Sequence, residues 1–127
     1  RVHMHRMKHS NGYMAALSDP HIGVALNLIH TETDQKWNVE ALSIASAMGR
    51  TGFTQKFVDM VGDTPKSYLT NTRLIKAKGR LQNSNDSMVR IAESAGYASE
   101  AAFGKAIKQR FNRTPGELRK IVSDSET

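Results

Sequence analysis

Residues 91–115 have the sequence IAESAGYASEAAFGKAIKQRFNRTP, and residues 41–65 have the sequence ALSIASAMGRTGFTQKFVDMVGDTP. When the chain is shifted by 50 residues, the apolar, turn and proline positions of the two stretches coincide. The coinciding pairs are Leu42 with Ala92, Ala45 with Ala95, Phe53 with Phe103, Phe57 with Ile107, Val61 with Phe111, Gly62 with Asn112, Thr64-Pro65 with Thr114-Pro115, and Tyr68 with Leu118. The chain therefore holds one structural unit twice, and each copy predicts a short helix, a tight turn, a longer helix, a turn and a further helix.

The second copy carries the local signals of a helix-turn-helix. Ala92 and Gly96 stand four residues apart, and Ser99 is placed to cap the helix that follows. A small residue lets two helices approach closely, and a glycine allows the chain to turn between them. One such pair is a weak signal, but two copies in phase, joined by one long helix over residues 65–83, strongly favour a tandem helix-turn-helix.

The remaining segments are also predicted to be helical, because apolar residues recur at helical spacing. Asp19-Pro20, Thr64-Pro65 and Thr114-Pro115 each place a capping residue before a proline suited to the first turn of a helix. Thr114 and Glu117 also fit a capping box, and Asn38 and Ser87 are placed to cap two further helices. No alternating strand pattern competes, so the prediction is an all-α fold of about seven helices, with two helix-turn-helix subdomains joined by one long helix.

The composition favours an anionic partner. Lys and Arg number 18 against 12 Asp and Glu, which gives a formal net charge of +6 and an isoelectric point near 9.8. The lack of cysteine excludes a disulfide framework, a thiolate zinc site and a cysteine nucleophile. No apolar stretch predicts a membrane span or a signal peptide, so we expect a cytoplasmic protein that does not contact a membrane. His3, His5 and His9 have no predicted element around them, and we expect no metal site, no cofactor and no enzyme activity.

These motifs resemble the tandem helix-turn-helix DNA-binding domain of the AraC/XylS-type transcriptional regulators. The resemblance covers roughly residues 19–122 and is closest in the second copy. Its first set of residues is Met48-Gly49-Arg50-Thr51-Gly52-Phe53, Phe57, Gly62-x-x-Pro65-x-x-Tyr68 and Arg73-x-x-x-Ala77-x-x-x-Leu81. Its second set is Ile91-Ala92-x-x-x-Gly96-Tyr97, Ser99-Glu100-Ala101-Ala102-Phe103 and Phe111-x-x-x-Pro115.

The resemblance implies a domain organisation and a set of partners. Residues 19–123 would form the DNA-binding domain, and residues 124–127 a tail. Residues 1–18 would be a linker or the end of a sensor domain, which is cupin-like in some members. Inside the domain, the first motif would cover residues 38–62, the linking helix 65–83, the second motif 87–112 and the last helix 115–122. The implied partners are double-stranded DNA and RNA polymerase, with two recognition helices inserted into successive major grooves of the DNA.

Candidate base contacts lie on the predicted outward faces of these two recognition helices, opposite the Phe53 and Phe103 stripes. Gln55 could pair bidentately with adenine, and Lys105 could donate to O6 and N7 of guanine. Alanine methyl groups could contact a thymine methyl. The candidates for base contact are Arg50, Thr51, Thr54, Gln55, Glu100, Ala101, Ala102 and Lys105.

Phosphate contacts form a separate class, because they position the protein without specifying sequence. The candidates are Lys66, Lys108 and Arg113. Arg73 matches a position where the family uses an arginine for packing, so the resemblance implies a structural role for it.

The first motif departs from the family pattern. Ser43 and Ala47 stand where the family usually has alanine and glycine, and Gly49 and Gly52 stand near the start of the first recognition helix. Two glycines there each weaken the helix by up to ~1 kcal/mol relative to alanine. The leading hypothesis is a sequence-specific transcription regulator. The alternative is a protein-interaction or nonspecific architectural module in which the first motif no longer contacts bases. A weaker alternative is a metal-responsive segment at residues 1–9.

Overall fold

A computed structural model of the chain describes residues 12–126, with side chains described as far as Ile121. Every regular element in that range is an α-helix. The helices are α1 (residues 12–18), α2 (Ile22–Thr31), α3 (Val39–Ala45), α4 (Arg50–Val61), α5 (Pro65–Asn83), α6 (Met88–Ser94), α7 (Glu100–Phe111) and α8 (Pro115–Glu126). The all-α prediction is confirmed, and the described residues contain eight helices where about seven were expected.

The chain divides into two compact units, with the boundary after Leu69. Helix α5 begins in the first unit and ends in the second. Each unit has its own apolar core. The first core contains Ala16, Ile22, Ala25, Leu26, Ile29, Leu42, Phe53, Phe57, Val61 and Leu69. The second core contains Leu74, Ala77, Leu81, Ile91, Ala92, Ala95, Phe103, Ile107 and Leu118.

Helix α1 lies in the segment that was predicted to be a linker or the end of a sensor domain. Residues 12–18 are helical, and Ala16 is completely buried in the first core. The end of α1 approaches α2 so closely that a Cβ at position 23 would lie 2.4 Å from the Leu17 carbonyl oxygen, which makes Gly23 necessary for this contact. This segment has no counterpart in the repeat, so the repeat pattern gave no sign of its packing. Residues 1–11 of the predicted linker, with His3, His5 and His9, lie outside the described residues.

Most predicted helix starts agree with the structure. Asn38, Ser87 and Ser99 each accept a hydrogen bond from a backbone N–H in the first turn of the following helix. Thr114 Oγ1 accepts from the Glu117 N–H at 3.1 Å, and Glu117 Oε1 accepts from the Thr114 N–H at 2.8 Å, which is the predicted capping box.

The bounds of α2 and α8 differ from the predicted ones. Helix α2 spans Ile22–Thr31, two residues later than its predicted start at Pro20, yet Asp19 is the predicted cap. Its Oδ2 accepts from the N–H groups of His21 and Ile22, and its carbonyl oxygen accepts from the Gly23 N–H. Helix α8 extends to Glu126, beyond the predicted end at residue 122. The polar residues after position 122 include no proline or glycine that would end a helix.

The two copies do not keep one constant shift. The caps Asn38 and Ser46 of α3 lie 49 residues before Ser87 and Ala95 of α6, whereas the starts of α4 and α7 are 50 residues apart. The second motif therefore has one more residue in its turn. Leu42 corresponds to Ile91 and Ser43 to Ala92, so the sequence pairing of Leu42 with Ala92 and of Ala45 with Ala95 was wrong by one residue. A loop between two capped helices absorbs the extra residue without changing either helix.

Candidate nucleic-acid interface

Helix α4 is anchored by one buried face in the first unit. Phe53, Phe57 and Val61 recur at helical spacing and are at most 5% exposed. The Phe53 and Phe57 rings pack with their centroids 5.7 Å apart. The opposite face therefore points to solvent. It places Arg50, Thr51 and Gln55 in exposed positions, as predicted, whereas Thr54 is only half-exposed.

Helix α7 has the corresponding arrangement in the second unit. Phe103 and Ile107 are buried, and Phe111 is half-buried. Gly104 is half-buried and lies beside Pro115. The exposed residues of this helix include all the predicted base-contact candidates, which are Glu100, Ala101, Ala102 and Lys105.

The candidate phosphate contacts are also exposed. Lys66 lies in the first turn of α5, Lys108 in the last turn of α7, and Arg113 in the turn before α8. The pKa of the Glu117 carboxyl is lowered mainly by its hydrogen bond from the Thr114 N–H, and also by the positive charges of Lys108 and Arg113. Both cations are therefore near the start of α8, where the helix dipole also favours an anion.

The turns of the two motifs use different backbone solutions. Gly96 follows α6 with a φ of 91°, and a Cβ there would lie 3.1 Å from Nη1 of Arg73. Arg73 thus packs within the second unit, consistent with its predicted structural role. In the first motif, Ala47 adopts a φ of 60°, which is unfavourable for a residue with a Cβ. The neighbouring Ser46 is buried, and its Oγ has no hydrogen-bond partner among the described residues.

Helix α4 is also held from outside its own motif. Lys56 Nζ lies 3.0 Å from Asp19 Oδ1, which connects α4 to the start of α2. The pKa of the Asp19 carboxyl is lowered chiefly by its hydrogen bond from the Ile22 N–H and further by Lys56. His21 Nδ1 lies 2.8 Å from the Ser46 carbonyl oxygen, next to the strained turn. The segment before α2 therefore braces both the turn and the first recognition helix.

Two arginines position the second motif, and the sequence did not predict these roles. Arg80 bonds Asp86 Oδ2 at 2.8 Å and also contacts Ser94, which is on α6. Arg119 donates to the carbonyl oxygens of Leu81 and Asp86 at 3.0 and 2.8 Å. Both guanidinium groups are therefore engaged in fixing the loop between α5 and α6. Backbone carbonyls carry no residue signature, so spacing could not reveal the partners of Arg119.

Two other kinds of site are not found in the described part of the chain. Residues 12–121, whose side chains are described, contain no group of three or more His, Asp or Glu side chains that could hold a metal ion. Within the same range, no helix is both long enough and apolar enough to cross a membrane.

Comparison with known proteins identifies the family. A family profile described as a helix-turn-helix domain matches residues 42–121. A protein described as an AraC-like transcription regulator from Streptomyces lividans is 35% identical over 121 residues, which are 94% of this chain and 40% of that relative. The chain belongs to the AraC-type helix-turn-helix family.

Solved structures show that the AraC-type fold extends over most of the chain. The DNA-binding domain of AdpA, in complex with a target DNA, is 24% identical with a TM-score of 0.74, covering 82% of this chain and 93% of that one. An AraC-type regulator from Chromobacterium violaceum is 24% identical with a TM-score of 0.73, covering 87% and 94%. The chain spans about two fifths of the length of the S. lividans relative.

Proposed function

We propose that this chain binds double-stranded DNA in a sequence-specific manner, with α4 and α7 each entering a major groove, and so regulates transcription in bacteria. The observation that supports this most is shared by both helices. Each has an aromatic face fixed in its own core and an opposite face of exposed polar or small residues. A helix held in this way can present side chains to base edges without losing its packing.

The chemistry of the two exposed faces suggests different base preferences. The Gln55 amide can both donate to N7 and accept from N6 of adenine. The Lys105 ammonium can donate to O6 and N7 of guanine, and the methyl groups of Ala101 and Ala102 can contact thymine. Arg50, Thr51, Thr54 and Glu100 complete the proposed base-contact set. Because the two faces differ, we expect an asymmetric DNA site.

Phosphate contacts would set the position of each unit on the duplex. We assign this role to Lys66, Lys108 and Arg113, which are exposed next to the termini of α5, α7 and α8. In the complete regulator, a sensor domain in the same chain and RNA polymerase would be further partners, and the cytoplasm the compartment. These three proposals are supported by the family and by the transcription-regulator descriptions of the relatives.

A selection from a random pool of DNA duplexes tests the proposal directly. The recovered duplex and a scrambled duplex of the same composition are then titrated with the chain at two salt concentrations. We expect the recovered duplex to bind roughly a thousand-fold more tightly, which is the low end of known specific binding. Equal binding of both duplexes would support an architectural module, and no binding of either would support a protein-interaction module.

Two single-charge substitutions separate base recognition from phosphate contact. Lys105→Ala should cost ~1–3 kcal/mol on the recovered duplex and relax the preference at one base position. Arg113→Ala should weaken binding to both duplexes nearly equally. It should also reduce the salt slope, which is the slope of the logarithm of the binding constant against the logarithm of the salt concentration, by about one unit. Both variants lose one positive charge, so a generic charge effect cannot produce the difference. If Lys105→Ala lowers both affinities by the same factor, Lys105 is a phosphate contact.

A further inference from the structure

The two recognition helices carry very different charge, although they occupy equivalent places in the repeat. From the first residue of the helix to the turn that follows it, residues 50–63 have a net charge of zero. The equivalent residues 100–113 have a net charge of +3. The folds of the two stretches match, since each begins after an extended N-cap and ends at a left-handed residue, Gly62 or Asn112. The charge difference is therefore not a consequence of different structure.

In the first unit, α4 has one exposed cation at its start, Arg50, and its other charges favour DNA little. Lys56 is held by Asp19 at 3.0 Å, so its charge is already paired. Asp59 is exposed on α4, one turn after Gln55, and its Oδ1 lies 3.5 Å from Gln55 Nε2. Asp63 lies in the turn after α4, at the position equivalent to Arg113. Carboxylates near the candidate base contacts repel phosphate, so this unit has little attraction for a duplex whose bases do not match.

In the second unit, cations gather around the end of α7. Lys108 is exposed in the last turn of the helix, and Arg113 is exposed in the turn after it. The Arg110 guanidinium and the Lys78 ammonium both stand over the Phe111 ring, at 4.9 and 5.0 Å from its centroid. Their charge is oriented by this ring and is not neutralised by it. Such a cluster attracts the phosphate backbone of any duplex.

We propose that the two units divide the work of binding: the second unit holds duplex DNA of any sequence through phosphates, and the first adds affinity only where its bases match. This inference rests on the proposed function, because it assumes that both recognition helices meet DNA. It predicts that nonspecific binding is a property of the second unit. It also predicts that α4 supplies more of the discrimination between sequences than Lys105 and the two alanines of α7 supply.

The test measures salt slopes for variants of the whole chain on the recovered duplex and on the scrambled duplex. Lys108→Ala and Arg113→Ala should each lower the slope by about 0.9 on both duplexes, the expected value for one lost phosphate contact. Lys66→Ala should lower the slope by about 0.9 on the recovered duplex and leave it unchanged on the scrambled one. Gln55→Ala should weaken binding to the recovered duplex at least tenfold and bring its affinity towards that of the scrambled one.

Lys36→Ala is the charge-matched control, because Lys36 is an exposed cation in the loop between α2 and α3. It should leave both slopes unchanged. If Lys36→Ala lowers both salt slopes, net charge alone sets the slope, and the proposed division of binding between the two units is wrong. If Lys66→Ala lowers the slope on both duplexes, the first unit also holds unmatched DNA and the division is wrong, while the proposed function stands. If the wild-type chain does not distinguish the two duplexes, the proposed function itself fails.

Discussion

Ala47→Gly should stabilise the first unit. The Ala47 φ of 60° lies in the left-handed region, and its counterpart in the second motif is Gly96 with a φ of 91°. A left-handed conformation costs a residue with a Cβ roughly 1–2 kcal/mol. Glycine removes this cost. However, it lowers the free energy of unfolding by roughly 0.5–1 kcal/mol relative to alanine, because an unfolded chain with glycine has more conformational freedom. Ala47 is exposed, so little packing is lost, and we expect a net gain of ~0.5–1 kcal/mol in the free energy of unfolding.

Trp37 provides the assay for this substitution. It is the only tryptophan in the chain, and it packs against the first core, so its fluorescence follows unfolding of that unit. If the free energy of unfolding falls by about 1.5 kcal/mol per molar urea, the urea midpoint should rise by roughly 0.3–0.7 M. Gly96→Ala is the reciprocal control. It should destabilise the second unit by ~1–2 kcal/mol, which circular dichroism should detect. The urea midpoint of the Trp37 fluorescence transition should stay unchanged. A lower urea midpoint of the Trp37 transition in Ala47→Gly would refute the claim that the backbone at Ala47 is strained.

Three further substitutions test the packing and the charges of the domain. Ser46→Ala removes a buried hydroxyl without a partner among the described residues and installs the residue found at Ala95, so the Trp37 midpoint should rise by the equivalent of ~1 kcal/mol; a fall would show that the hydroxyl is bonded. Phe103→Ala should destabilise the second unit by ~3–5 kcal/mol and abolish DNA binding with it; unchanged melting with lost binding would mean that the ring stacks on bases. Because the folded pKa of Asp19 lies below its usual 3.8, its carboxylate stabilises the fold fully above that value, and this contribution is lost as the pH falls through the folded pKa. The free energy of unfolding of Asp19→Asn should therefore fall less steeply at acidic pH than that of the wild-type chain. The same pH dependence in both proteins would contradict this.

The recognition helices were predictable because their signals are local. Capping residues, prolines and aromatic stripes lie within a few residues of the features that they determine. Phe53 and Phe103 therefore located the buried faces correctly, and the exposed candidate residues followed from them. The caps at Asn38, Ser87 and Ser99 were predictable for the same reason.

The features that escaped prediction depend on tertiary contacts. The packing of α1 rests on Gly23, whose role becomes visible only when the end of α1 lies against it. The extra residue in the second turn was hidden because both Ile91 and Ala92 are plausible partners for Leu42. Arg119 bonds carbonyl oxygens that lie 33 to 38 residues away in sequence, and no side-chain pattern encodes such a contact.

A footprint of the chain on the duplex recovered by selection tests the central claim most directly. Two recognition helices that enter successive major grooves on one DNA face should lie about 34 Å apart, which is one turn of B-DNA. We therefore expect one monomer to protect two elements whose centres are about ten base pairs apart, with different sequences in the two elements. A single short protected element would contradict insertion of both helices, and a strict palindrome occupied only by dimers would contradict the asymmetric monomer site.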